Sequence, residues 1–403
     1  MQRILSHGDL ESLFIDRTSL YCMREDEIIE DLWCIPAGSK SYLLPVGAAN
    51  GRFVILADSL KQLYVLQKKN GCVSWNRDSA SLLIQMRSEK APTVVLFDEI
   101  EETEESLAIF VADRFGGVTR HRINITLGSV ESSTIILGHV SIITHMCLAE
   151  GRLITADRDE KIRITSTTKP YPIEAFLLGH TEYIAAICTV KASGSGVHIV
   201  SVAGDGTVKV WKNSGEADCS SQEKNLLDTF VLDGNLIGRS VRAERIIGSA
   251  TAKADGEEAE QEEVEEFDQI IIEPNSIVSF GNQTVLVSFD RQSKLLCLRV
   301  TPELKLELVK TLEIPSPVIS MASSQSSCLL LCEDGSIHSL SQLPELELVK
   351  VSRSDPVEDV ESLWKGGMRK DCHGLFAKKL KRKRTAPGAP AGDVDVNSDI
   401  DSE

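Results

Sequence analysis

Two stretches of the chain share one succession of apolar and polar positions. Each opens on Leu-Gly-His, runs through an apolar segment that reads as a strand, and closes on an Asp-containing turn and a further strand. The first is LGHVSIITHMCLAEGRLITADRDEKIRIT, residues 137–165, and the second is LGHTEYIAAICTVKASGSGVHIVSVAGDGTVKVW, residues 178–211. Side chains alternate between the two faces of a strand. Ile162 and Ile164 are therefore expected to pack inside, and Lys161 and Arg163 to point outward from the other face.

The pattern recurs along the chain. Aligning on the apolar residue of the third strand of each unit gives Leu63, Val118, Ile162, Val208, Leu295 and Ile337, at intervals of 55, 44, 46, 87 and 42 residues. A period of about 40–45 residues with Gly-His and Asp turns marks a WD-repeat β-propeller blade. Six anchors plus an N-terminal strand to complete the ring predict an all-β, WD40-type propeller of about seven blades. It would occupy residues 1–350, with a basic and then acidic tail over 351–403.

Residue chemistry supports this reading. His180, Ser201, Asp205 and Trp211 occupy the positions of the hydrogen-bonded tetrad that ties a WD-repeat blade together. Buried polar groups need such partners, because leaving one unpaired costs about 1–3 kcal/mol. In the preceding blade His139, Thr155 and Asp159 match, while Thr165 stands where Trp would be. These histidines are read as structural. Ser193-Gly194-Ser195-Gly196 is read as a hairpin loop, because a nucleotide-binding glycine loop follows a strand and opens a helix.

Charge changes the picture locally. The net charge is −17, and nine acidic residues with no basic one fall in ADGEEAEQEEVEEFD, residues 254–268. This block lies inside the 87-residue interval and reads as a solvated, disordered insertion at about 243–266. Such loops are tolerated because closure cost grows only logarithmically with length. Residues 365–384 hold nine Lys or Arg, ending in Lys378, Lys379, Lys381, Arg382, Lys383 and Arg384. That cluster reads as a nuclear localisation signal or an RNA contact, and the Pro/Gly/Ala and acidic stretch after it as a disordered tail. No apolar run approaches the roughly 18 residues of a membrane span. The ten cysteines are scattered without zinc-ligand spacing, so no metal or other cofactor is expected on this chain, and the thiols are expected to be reduced.

One stretch carries more than a generic repeat. Ile154-Thr155-Ala156-Asp157-Arg158-Asp159-Glu160-Lys161-Ile162-Arg163-Ile164, followed by Pro172-Ile173-Glu174 and Leu178-Gly179-His180-Thr181-Glu182-Tyr183, closely resembles the WD-repeat non-catalytic subunit of the eukaryotic tRNA guanine-N7 methyltransferase, the Wuho-type family. Val111-Ala112-Asp113-Arg114 and Ser362-Leu363-Trp364-Lys365 also fit that family, and the strong likeness spans about residues 137–211. The resemblance implies a non-enzymatic subunit in a heterodimer. A separate catalytic subunit would bind S-adenosylmethionine and methylate a guanine in the tRNA variable loop. It further implies that Asp157, Arg158, Glu160, Lys161 and Arg163 face that catalytic partner, with tRNA held mainly through the complex. The expected compartment is the nucleus, with the cytoplasm as a second one. A polyanion-binding role by the propeller alone sits poorly with a charge of −17. The rival readings are a generic nuclear WD-repeat scaffold, such as a ubiquitin-ligase substrate receptor or chromatin-complex subunit, and an enzyme acting in the propeller channel.

Overall fold

The computed structural model describes residues between Arg3 and Val351 apart from breaks, the longest at 214–224 and 342–346; within the strands spanning 239–271 it describes the backbone. Seven four-stranded antiparallel meanders follow one another, at residues 3–34, 43–87, 92–138, 143–178, 184–231, 274–313 and 318–351. We number these blades 1 to 7. Within each, the strands pair in chain order, so every blade is a local meander. The first strand of each blade packs against the first strand of the next, and blade 1 against blade 7, which closes a ring. The six anchor residues are each the first or second residue of a third strand, in blades 2 to 7.

Alternation along each strand explains why the ring coheres. In Phe53–Asp58, the second strand of blade 2, Val54 and Leu56 pack toward blade 1 while Phe53, Ile55 and Ala57 pack toward blade 3. Seven apolar clusters result, one between each pair of neighbouring blades, and every blade is held on both faces. Ile162 and Ile164 lie between blades 4 and 5, as strand alternation predicts.

Two features differ from the sequence reading. The N-terminus supplies a whole blade of four strands rather than one closing strand. Closure therefore rests on side-chain packing of Ile4 and Met23 against Leu329, Leu331 and Ile337, and on Ile4 N–H donating to Ser320 Oγ at 3.1 Å. Second, the interval expected to be a disordered acidic loop at 243–266 lies in two long strands, Arg239–Ala254 and Glu257–Ile271, that form their own two-stranded sheet. Backbone pairing needs no particular side chain, so acidic composition alone did not exclude it. Arg242–Gln269 belongs to a compact unit separate from the propeller. Strands Ile184–Ala192 and Gly196–Ala203 pair antiparallel with Ala192 opposite Gly196, and residues 193–195 of the expected hairpin loop lie outside the described residues.

Candidate functional site: the rim of turns on blade 4

In every blade from 2 to 7, the turn between the second and third strands is tied to the connection entering that blade. Ser59 N–H donates to the Tyr42 carbonyl (2.9 Å), Arg114 to Ala91 (3.0 Å), Arg158 to Ile142 (3.0 Å), Gly204 to Tyr183 (2.9 Å), Asp290 to Glu273 (2.7 Å) and Glu333 to Pro317 (2.8 Å). A second set ties turns to the connections leaving their blades, as when His139 N–H donates to the Gly116 carbonyl (2.8 Å). These turns thus lie on one hydrogen-bonded rim. A surface held this way loses little freedom on binding, which favours recognition.

Side chains complete the rim. In blade 5, Trp211 Nε1 donates to Ser201 Oγ (2.8 Å), Ser201 Oγ meets His180 Nε2 (2.7 Å), and His180 Nδ1 meets Asp205 Oδ2 (2.9 Å). Trp211 is buried, with its ring edge-on to His180 at 5.9 Å between centroids. A Cβ at Gly179 would sit 3.1 Å from the indole Cη2, which accounts for glycine before the histidine. Burial pushes the Asp205 carboxyl up, but bonds from His180, Thr207 and Thr181 N–H and the attraction of His180 outweigh it, bringing the carboxyl down to about 2.

Blade 4 corrects the assignment of its turn. His139 Nε2 meets Thr155 Oγ1 at 2.7 Å, but His139 Nδ1 meets Asp157 Oδ2 at 2.9 Å, so Asp157 and not Asp159 is the aspartate of this network. Asp157 ends the second strand, Arg152–Asp157, and its Oδ1 also accepts the N–H groups of Asp159 and Lys161, each at 2.9 Å. Burial raises its carboxyl, while the His139 bond and the Lys161 N–H more than offset this, and the net direction is down. At 1% exposure Asp157 is also removed from the set of residues that could touch a partner. Asp58 caps its turn in the same way, through the N–H groups of Leu60 (2.9 Å) and Gln62 (2.7 Å), and Asp113 through those of Phe115 (2.6 Å) and Gly117 (3.3 Å). The signal was present in the chain: Ala57-Asp58, Ala112-Asp113 and Ala156-Asp157 recur at the blade intervals of 55 and 44 residues. In blade 5 a glycine separates Ala203 from Asp205, and alignment on that blade shifts the expected aspartate to 159.

Arg163 departs from expectation as well. It does not point outward: it is 5% exposed, its Nε donates to Thr165 Oγ1 (2.9 Å), and its Nη1 donates to the Gly138 carbonyl (3.3 Å). The register sets it opposite Thr155 and Phe176, in the middle of the blade. Thr165 stands where blade 5 has Trp211, and the guanidinium reaches the hydroxyl that an indole would have replaced. Burial lowers the Arg163 pKa, and no carboxylate forms an ion pair with it among the described residues. Lys161 does behave as the strand pattern predicts: it is exposed, with Nζ donating to the Asp159 carbonyl at 3.0 Å. Arg158 Nε lies 3.7 Å from Asp159 Oδ1. Arg158, Asp159, Glu160 and Lys161 are thus the outer part of the charged turn, with Arg163 beneath them.

Glu160 has φ of +76°, a region where side chains are strained. The matching turn positions are Lys61 (+66°), Gly116 (+89°), Gly206 (+74°) and Gly335 (+81°). Glu160→Gly is expected to raise stability by up to about 1 kcal/mol, read as a higher melting temperature. A clear drop in melting temperature would instead make the Glu160 side chain a structural brace. The basic run from Lys378 to Arg384 and the Ser362–Lys365 element lie outside the described residues.

The model of the tRNA methyltransferase TRM82 WD40 domain matches residues 124–350, more than half of the chain. The chain belongs to the TRM82 WD40 family. The matched span includes blades 4 to 6, blade 7 but for its last residue, and both histidine networks. Among relatives, the wuho non-catalytic subunit of tRNA (guanine-N(7)-)-methyltransferase from Drosophila pseudoobscura pseudoobscura is 35% identical over 231 residues, covering 52% of this chain and 56% of that protein. The corresponding subunit from Danio rerio is 33% identical over 175 residues, covering 43% and 38%. That from Homo sapiens is 28% identical over 210 residues, covering 52% and 46%. The chain thus matches about two fifths to a little over half of the length of these relatives. A chain of a mitotic checkpoint complex structure superposes with a TM-score of 0.58 at 11% identity, over 84% of this chain and 89% of that one, which shows the propeller fold alone.

Proposed function

We propose that this TRM82-family propeller is the non-catalytic subunit of a tRNA guanine-N7 methyltransferase, paired with a separate catalytic subunit that carries S-adenosylmethionine. The observation that carries the reading is the turn Arg158–Lys161. It is a charged, outward-facing turn pinned to a rigid rim, and it lies within the span matched by the TRM82 model. Arg163, buried beneath it with no internal carboxylate among the described residues, holds a positive charge under the surface. Complementary charge on a partner would set register and specificity there more than raw affinity. The propeller performs no chemistry in this reading. It favours the active conformation of the catalytic subunit by binding that conformation more tightly. The tRNA is held through the complex, and the basic run Lys378–Arg384 serves nuclear import, RNA contact or both.

The test is N7-methylguanosine in tRNA, read by borohydride and aniline cleavage in cells depleted of this protein. Depletion is expected to abolish cleavage at the modified position, wild type to restore it, and Lys161→Glu to restore it poorly. Full modification after complete depletion would sink the tRNA reading and leave a propeller scaffold for another partner.

A further inference from the structure

The charged turn shares its rim with apolar side chains that the proposed function leaves unused. Leu60 is 53% exposed, Phe115 is 65% exposed, and Val140 is fully exposed. Leu60 and Phe115 occupy the same place in successive blades, the second residue after a strand-end aspartate, with their N–H groups bonded to Asp58 and Asp113. In blade 4 that place holds Asp159, and the turns of blades 5 to 7 read Gly204-Asp205-Gly206, Asp290-Arg291-Gln292 and Glu333-Asp334-Gly335. Among these turns the apolar tips are therefore confined to blades 2 and 3.

The turns and the connection that carry these side chains are joined in order along the rim. Lys61 Nζ donates to the Glu89 carbonyl (3.1 Å), and Arg114 N–H to the Ala91 carbonyl, which joins the turns of Leu60 and Phe115 through residues 88–91. The Phe115 turn then meets the connection that carries Val140. A Cβ at Gly116 would lie 2.5 Å from the carbonyl oxygens of both His139 and Ser141. That connection in turn accepts the N–H of Arg158, so Leu60, Phe115, Val140 and the charged turn follow one another along blades 2 to 4.

Isolated exposed apolar residues are ordinary. Three on one rigid rim, adjoining a charged turn, match the pattern of apolar anchors with a polar border that protein interfaces use. A nucleic acid fits less well, because phosphate binding draws on an excess of cations. Here Lys90, Arg114, Arg158 and Lys161 are interspersed with Glu89, Asp159 and Glu160.

We propose that Leu60, Phe115 and Val140 form a second, apolar half of the surface that docks the catalytic subunit, taking an apolar segment flanked by acidic residues that face Lys90 and Lys161. The inference rests on the function proposed above. It is tested with the purified full chain and the catalytic subunit, by calorimetric titration of wild type, Phe115→Asp, Val140→Asp and Lys161→Glu. Phe115→Asp and Val140→Asp are each expected to weaken pairing about tenfold or more, with unchanged melting temperatures because both side chains are solvent-exposed. Should Phe115→Asp melt early, Val140→Asp alone decides. Weakening by Lys161→Glu with wild-type affinity in both aspartate variants would overturn this inference and leave the proposed function standing. Failure of the wild-type chain to pair would overturn both. Normal pairing in the aspartate variants with loss of tRNA binding by the complex would overturn it in favour of an RNA-contacting rim.

Discussion

Arg163→Glu should destabilise the propeller by about 3–5 kcal/mol, whereas Lys161→Glu should change its stability by no more than about 0.5 kcal/mol. The two residues sit two apart on one strand and carry the same charge, yet their surroundings differ. Arg163 is buried, and its replacement would put an unpaired carboxylate beside the Gly138 carbonyl and the Thr165 hydroxyl. Lys161 keeps its ammonium in water, where it donates to the Asp159 carbonyl and adds a solvent-screened attraction to Asp157. Calorimetric melting of both variants, with titration against the catalytic subunit, separates the roles. Lys161→Glu should lose pairing while keeping its melting temperature, and Arg163→Glu should lose both. An Arg163→Glu protein that melts like wild type would show that the guanidinium is not held inside the blade, contrary to the structure.

The second large effect concerns the blade 4–blade 5 core. Trp211→Ala is expected to cost about 3–5 kcal/mol, a drop in melting temperature on the order of 10 °C. The indole is buried among residues of blades 4 and 5, and it supplies the N–H that closes the relay through Ser201 and His180 to Asp205. Trp211→Phe, which keeps most of the volume, should cost much less, about the 1–3 kcal/mol of a lost buried hydrogen bond. If the two variants melted together near wild type, neither the packing nor the relay would matter at this site. Blade 4 is the internal comparison, because Thr165 stands in the Trp211 position and its hydroxyl accepts from Arg163 instead. Blade 4 therefore relies on a cation where blade 5 relies on an indole, which is why Arg163 is the sensitive residue there.

The chain by itself specified the repeat, the number of blades and the four-residue tetrad of blade 5. These rest on side-chain identity: apolar residues at period two, and Gly, His, Asp and Trp at fixed offsets. It also marked the charged turn of blade 4 as unusual among Asp-Gly turns. It pointed to the wrong aspartate for His139, because alignment on blade 5 selects Asp159, whereas the strand-end position of Asp157 is what brings a carboxylate to the imidazole. Nor did it show that Arg163 is buried, since alternation says which face a residue occupies but not whether that face is covered by a neighbouring blade. The full N-terminal blade and the paired strands over 239–271 were likewise settled by backbone pairing, which any sequence can supply. The rim was decided by tertiary structure alone. Its bonds run between main-chain N–H and C=O groups, which every residue but proline carries in the same form, so no residue type announces that Leu60, Phe115, Val140 and Lys161 share one rigid edge.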